Sequence, residues 1–156
     1  MKAEILSVGT ELLLGQIANT NAQHVSEALA SAGIDVYRHV AVGDNLERVV
    51  EALGDALRRA DAVIVTGGLG PTPDDLTRDA VARACGRELV RDPQLEEQIR
   101  AVFARLGREM PEENLRQADL PEGARAIPPE GTAPGFIVEH RGAPVYALPG
   151  VPWEMR

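Results

Sequence analysis

The sequence predicts an α/β protein built on a largely parallel sheet. Three apolar runs, Lys2–Val8, Asp35–Val42 and Ala62–Val65, read as strands, and a helical pattern follows each of them. That alternation is the mark of βαβ units with right-handed crossovers. Each run also passes straight into a glycine-bearing segment, at Gly9, Gly43 and Gly67. Ligands of such sheets gather at the carboxyl ends of the strands, so these three segments are expected at one binding edge.

Each element has a local cause. The first strand carries Ile5, Leu6 and Val8 and stops at Gly9. From Thr20 to Ala32 the apolar residues Ala22, Val25, Leu29 and Ala32 share one helical face, Thr20 and Gln23 have capping-box spacing, and Gly33 ends the run. Leu46, Val49, Val50, Leu53 and Leu57 define a second amphipathic helix beginning after Asp44. A third helix covers Leu76–Ala84, with Ala80, Val81, Ala84 and Cys85 in its apolar pattern. Asp92 then reads as a cap and Pro93 as the first turn of a helix that turns Leu95, Ile99, Val102, Phe103 and Leu106 inward. Beyond Met110 prolines break the chain into short pieces, of which Gly135–His140 and Ala143–Leu148 read as strands joined by a hairpin turn at Arg141-Gly142. The sheet is therefore expected to be mixed at this end. Pro152 to Arg156 reads as the beginning of a helix, which suggests a chain truncated from something longer.

Composition limits the partners. At 156 residues with 44% hydrophobic content, one domain spanning residues 1–156 is expected, with an aliphatic core because the aromatic content is only 3%. Sixteen basic against 24 acidic side chains leave a net charge of −8, which disfavours nucleic acid and anionic membranes as partners. The lone Cys85 forbids an internal disulfide and reads as a buried structural thiol. No apolar run reaches membrane-spanning length and no signal peptide is visible, so a cytoplasmic protein is expected.

The stretch Thr66-Gly67-Gly68-Leu69-Gly70-Pro71-Thr72-Pro73-Asp74-Asp75-Leu76-Thr77 carries the most chemistry. Glycines at 67, 68 and 70 let the backbone turn sharply and approach a ligand, and the N–H groups of such a turn suit an anion. Asp74 and Asp75 oppose a bare phosphate, so a phosphate site here needs a metal, a cationic side chain or the helix dipole to offset them. Glu11, Asp44 and Asp75 follow three successive strands, and their hard oxygen donors suit Mg²⁺, Mn²⁺ or Co²⁺. Each has a structural alternative: Asp44 with Glu47 has capping-box spacing, Asp75 can cap the next helix, and Glu11 can be a solvated loop residue. Asn19 and Asn21 suit the orientation of a base or ribose, or serve as caps. Thr132 and Gly135, in the Gly131–Phe136 loop, and Gly150, after the last strand, complete the candidate cleft walls. Arg78 and Arg116 are the basic residues expected near it, whereas His24, His39 and His140 have no metal-ligand spacing. Trp153 reads as a packing or interface residue.

Gly9 to Gln16 followed by Asn19 to Ala22, then Val42 to Asn45, Thr66 to Thr77, Gly131 to Phe136 and Leu148 to Met155 resemble the amino-terminal domain of the competence/damage-inducible protein CinA family. The resemblance runs through essentially the whole chain. It implies the molybdopterin-binding-domain fold, a three-layer α/β/α sandwich with a mostly parallel sheet. It also implies pterin or nucleotide phosphate contacts at Gly67, Gly68, Gly70 and Asp75, with Asp44 in the same pocket. The implied activity is metal-dependent hydrolysis of ADP-ribose to AMP and ribose 5-phosphate; for it the three strand-end carboxylates Asp44, Asp75 and Glu11 are the candidate catalytic and metal-holding groups. Its alternatives are molybdopterin binding or adenylyl transfer in molybdenum cofactor biosynthesis, and a non-catalytic nucleotide-binding regulatory module. A homo-oligomer is implied too, as is a carboxy-terminal nicotinamide mononucleotide deamidase domain in full-length members. Two departures stand out. The adenylyltransferases read GGTG where this chain has Leu69 in third place, and the asparagine that often precedes the GTAPG block is replaced by Pro128-Pro129-Glu130.

Overall fold

The computed structural model describes residues 1–150; the helix start expected at Pro152, and Trp153 with it, lie outside the described residues. In chain order the elements are β1 (Lys2–Val8), α1 (Thr10–Leu13), α2 (Thr20–Ser31), β2 (Asp35–Val42), α3 (Leu46–Arg59), β3 (Ala62–Thr66), α4 (Thr77–Ala84), β4 (Leu89–Arg91), α5 (Pro93–Arg105), a 3₁₀ helix (Glu112–Ala118), β5 (Asp119–Pro121), β6 (Arg125–Ile127), β7 (Gly135–His140) and β8 (Ala143–Leu148). Six strands form one sheet in the order β2-β1-β3-β8-β7-β6, and β4 pairs with β5 in a separate small sheet.

The pairs β1–β2, β1–β3 and β3–β8 are parallel, whereas β7 is antiparallel to both β8 and β6. The sheet is thus mostly parallel and mixed at one end. The β7–β8 hairpin turns on Arg141 and Gly142, at φ 51° and 83°, as a two-residue loop with both central residues left-handed requires.

Alternate residues of the central strands serve opposite faces. Leu6, Val8, Val63, Val65, Val145 and Ala147 pack with Val49 and Leu53 of α3, Val81 of α4 and Ile99 of α5. On the other face Ala3, Ile5 and Ile64 meet Ala22 and Val25 of α2. Helices therefore cover both faces, and the three-layer α/β/α expectation holds. Each fully buried Val, Leu or Ile contributes about 1.5–3 kcal/mol. None of the described helices is long and apolar enough to cross a membrane.

Several local expectations need correction. The cap of α2 is Asn19, whose side chain accepts from Ala22 N, not Thr20. Asn45 caps α3 by accepting from Arg48 N at 3.1 Å, so Asp44 and Glu47 form no capping box. No side chain caps α4, which removes the capping alternative for Asp75. Asp92 does cap α5, with Pro93 in its first turn. Cys85 is buried, and burial raises its thiol pKa.

Candidate functional site

Because β1, β3 and β8 are parallel, their carboxyl ends deliver Gly9, Gly67 and Pro149 to one edge, around a cleft of about 510 Å³. Glu11, Asn19, Asn21, Asp44, Gly67, Gly68, Gly70, Asp75, Thr132 and Gly150 all line it. Gly135 does not, and the expected ligand role for it is corrected. It begins β7, where a Cβ would come 2.6 Å from Ala147 O, so its smallness serves strand packing.

The glycine loop owes its shape to two left-handed residues. Gly67 has φ +89° and Gly68 φ +69°, and a Cβ on either would strike Val8 O or Thr77 Oγ1. The loop carbonyls are held from below. Thr77 Oγ1 donates to Gly67 O at 2.7 Å, and Thr77 N donates to Gly68 O at 3.1 Å. Arg78 donates Nη1 to Leu69 O at 2.6 Å and Nη2 to Gly70 O. Arg116 Nη1 reaches Thr72 O at 3.1 Å and Pro71 O at 3.5 Å, while its Nη2 pairs with Asp79 at 3.7 Å. Both arginines expected near the cleft thus lie behind its loop and not among its lining residues. By contrast the N–H groups of Gly68, Leu69 and Gly70 have no hydrogen-bond partner among the described residues. Such a run of unpaired donors is rare away from water and suits an anion.

Among the described residues the ionisable side chains that line the cleft are all acidic: Glu11, Asp44, Asp74 and Asp75. Asp44 and Thr10 tie β1 to β2 through a reciprocal pair, Asp44 N to Thr10 Oγ1 at 3.0 Å and Thr10 N to Asp44 Oδ2 at 3.3 Å. Asp75 closes its own loop instead of a helix. Its Oδ2 accepts from Thr72 N at 2.9 Å and Thr72 Oγ1 at 2.7 Å. In both aspartates these bonds fall on Oδ2, so Oδ1 is left out of them. The carboxylates share the cleft without clustering: no group of three or more His, Cys, Asp or Glu is placed to hold one ion among the described residues.

The asparagines act mainly within the protein. Asn19 Nδ2 donates to Ser7 Oγ at 2.9 Å while its Oδ1 caps α2, and Asn21 Nδ2 donates to Gly150 O at 2.8 Å. Asn21 Oδ1 is buried without a partner among the described residues. Sequence reasoning missed Gln117, which is 1% exposed, lines the cleft and accepts from Asn114 Nδ2 at 2.9 Å. It rises from the 3₁₀ helix, whose sequence carries no period to announce it. Leu12, Ile17 and Ala18 supply an apolar wall that was also unforeseen. None of the three histidines lines the cleft, and His39 Nε2 lies 2.7 Å from Ser26 Oγ.

Comparison with known proteins places this geometry. A family model described as "Probable molybdopterin binding domain" matches residues 4–156. A solved structure of CinA from Thermoplasma acidophilum, described as a protein of unknown function, is 36% identical with a TM-score of 0.92, covering 99% of this chain and 92% of that one. The chain belongs to this molybdopterin-binding-domain family, in its CinA branch. Proteins named competence-damage inducible protein agree with the assignment of this CinA-type domain. That of Moorella thermoacetica is 54% identical over 99% of this chain, and that of Acetivibrio thermocellus 53% identical over 99%. The domain spans only 37–38% of the length of these curated relatives. The molybdopterin biosynthesis enzyme MoaB from Thermus thermophilus shares its fold at 24% identity and a TM-score of 0.65, covering 99% of this chain and 84% of that one.

Proposed function

We propose that the cleft binds the phosphate end of a small pterin or nucleotide together with a divalent cation. The observation that carries this reading is the polarity of the cleft: among the described residues, three successive lining residues have unpaired N–H groups, and the ionisable side chains of the lining are all carboxylates. The N–H groups suit phosphate oxygens, and the carboxylates suit a cation that neutralises them. The absence of a three-residue metal cluster among the described residues is compatible with it. Mg²⁺ is commonly held by one or two carboxylates, with ligand phosphates and waters filling the remaining positions. Asp44 and Asp75 are the residues to hold it, each having one oxygen outside its threonine bonds, with Glu11 lining the same cleft. When bound, such an ion screens phosphate charge and lowers the pKa of a coordinated water.

Molybdopterin is the first ligand to test, because the matching family is described by it. In that reading the loop N–H groups orient the phosphate, while Leu12 and Ile17 provide an apolar surface for the ring. The second reading is hydrolysis of ADP-ribose to AMP and ribose 5-phosphate. The acidic lining favours it, because a carboxylate there can accept a proton from attacking water while the loop donors stabilise charge on the pyrophosphate. Deamidase activity and homo-oligomerisation belong to expectations about full-length relatives and are tested on the full-length protein.

One experiment separates the readings. The purified domain is titrated with molybdopterin by fluorescence and incubated with ADP-ribose and Mg²⁺, Mn²⁺ or Co²⁺, with AMP followed by chromatography. Tight pterin binding without AMP release supports the first reading, and metal-dependent AMP release lost in folded Asp44→Asn supports the second. Failure to bind pterin phosphate, ADP-ribose or pyrophosphate with any of these metals rejects both.

A further inference from the structure

Beneath the glycine loop lies a buried cation that the cleft itself does not contain. Arg78 is 2% exposed, and its guanidinium forks onto Leu69 O and Gly70 O. No carboxylate stands within ion-pair distance of it among the described residues. Burial, and next the like charge of Arg116, push its pKa down to about 10, against the pull of Asp75, Asp79 and Asp119. Holding an unpaired charge in the interior is costly. A neutral amide could hold a carbonyl without that cost, so bracing alone is a poor account of an arginine here.

Peptide geometry supplies the link to the ligand. The C=O and N–H of a trans peptide point in opposite directions, and the described chain has no cis peptide. Drawing Leu69 O towards α4 therefore turns the Gly70 N–H away from α4, onto the cleft side. Thr77 does the same for the N–H groups of Gly68 and Leu69 by holding Gly67 O and Gly68 O.

We propose that Arg78 is the positioning residue of the anion site: its fork turns the Gly70 N–H into the cleft beside the two donors that Thr77 sets, and its buried charge favours a pyrophosphate-bearing ligand over a neutral one. Arg78 acts through the loop and is not a catalytic residue. The inference rests on the reading that the cleft takes phosphate.

The test is calorimetric titration of inorganic pyrophosphate with Mg²⁺, together with ¹H–¹⁵N spectra of the Gly68, Leu69 and Gly70 amides. In Arg78→Met the affinity is expected to fall about 10- to 100-fold, the range for lost hydrogen bonds to a charged group, and the pyrophosphate-induced shift of the Gly70 amide to shrink more than those of Gly68 and Leu69, which Thr77 holds. Arg78→Lys keeps the charge but loses the fork, and an intermediate affinity is expected. Should Arg78→Met fail to fold, Arg78→Lys decides: weakened binding with an intact fold supports the proposal, and wild-type binding overturns it. A folded Arg78→Met with wild-type affinity and wild-type amide shifts also overturns it while leaving the phosphate reading standing. Absence of pyrophosphate binding by the unmodified protein removes that reading itself.

Discussion

Gly68→Ala tests the loop architecture most directly. Gly68 sits at φ +69°, and a methyl group there would strike Thr77 Oγ1. Thr77 is 0% exposed, and its hydroxyl holds Gly67 O at 2.7 Å. Placing an L side chain in the left-handed region costs about 1–2 kcal/mol. Displacing the hydroxyl leaves a carbonyl unpaired in the interior, for about 1–3 kcal/mol more. The expected loss is thus about 2–5 kcal/mol, a large share of the ~5–15 kcal/mol that holds a typical domain folded. Urea denaturation followed by far-ultraviolet circular dichroism measures it. The companion variant Thr77→Ala loses the hydroxyl bond by itself, and once the hydroxyl is gone Gly68→Ala should add only the backbone cost. The double variant should therefore be more stable than the sum of the single losses implies, by about 1–3 kcal/mol. Strict additivity, or a Gly68→Ala loss below about 0.5 kcal/mol, would refute the argument that Thr77 occupies the space a side chain needs.

Three further outcomes are expected. Asp44→Asn can still accept from Thr10 N and lies exposed, so its stability should stay within about 0.5 kcal/mol of the parent while Mg²⁺-dependent ligand binding falls; a matching loss in urea stability would mark Asp44 as structural only. Asp92→Ala removes the bonds accepted from Gln94 N at 2.9 Å and Leu95 N at 3.1 Å and should cost about 1 kcal/mol, with ligand binding unchanged in titration. Burial raises the Cys85 thiol pKa, so the fold favours the neutral thiol and stability should fall as pH rises through and beyond the ordinary thiol range. Comparing urea midpoints across that range in the parent and Cys85→Ala isolates this contribution; identical pH profiles would count against it.

The binding edge was legible because its cause is periodic. Apolar runs at β1, β2 and β3 alternate with amphipathic helices, and right-handed connections leave their carboxyl ends together. Helix caps were less legible. Asn19 beside Thr20, and Asp44 beside Asn45, are adjacent residues equally able to cap. At α3 Asp44 is engaged instead by a residue distant in sequence, Thr10. Strands β4, β5 and β6 have three residues each, too few to show a period of two. Gln117 was missed for the related reason that a short 3₁₀ helix places it in the cleft.

By itself the sequence determined the α/β architecture, the order of the main elements and the glycine loop, because hydrophobic period, glycine conformation and turn chemistry are local properties of the chain. Only the tertiary structure decided what the polar groups do. It set Arg78 under the loop and not in the cleft, turned Asp75 back on Thr72 and took Gly135 out of the site. The physical reason is that a buried hydrogen-bonding group must find a partner wherever the packed fold brings one, and that partner need not be near in sequence.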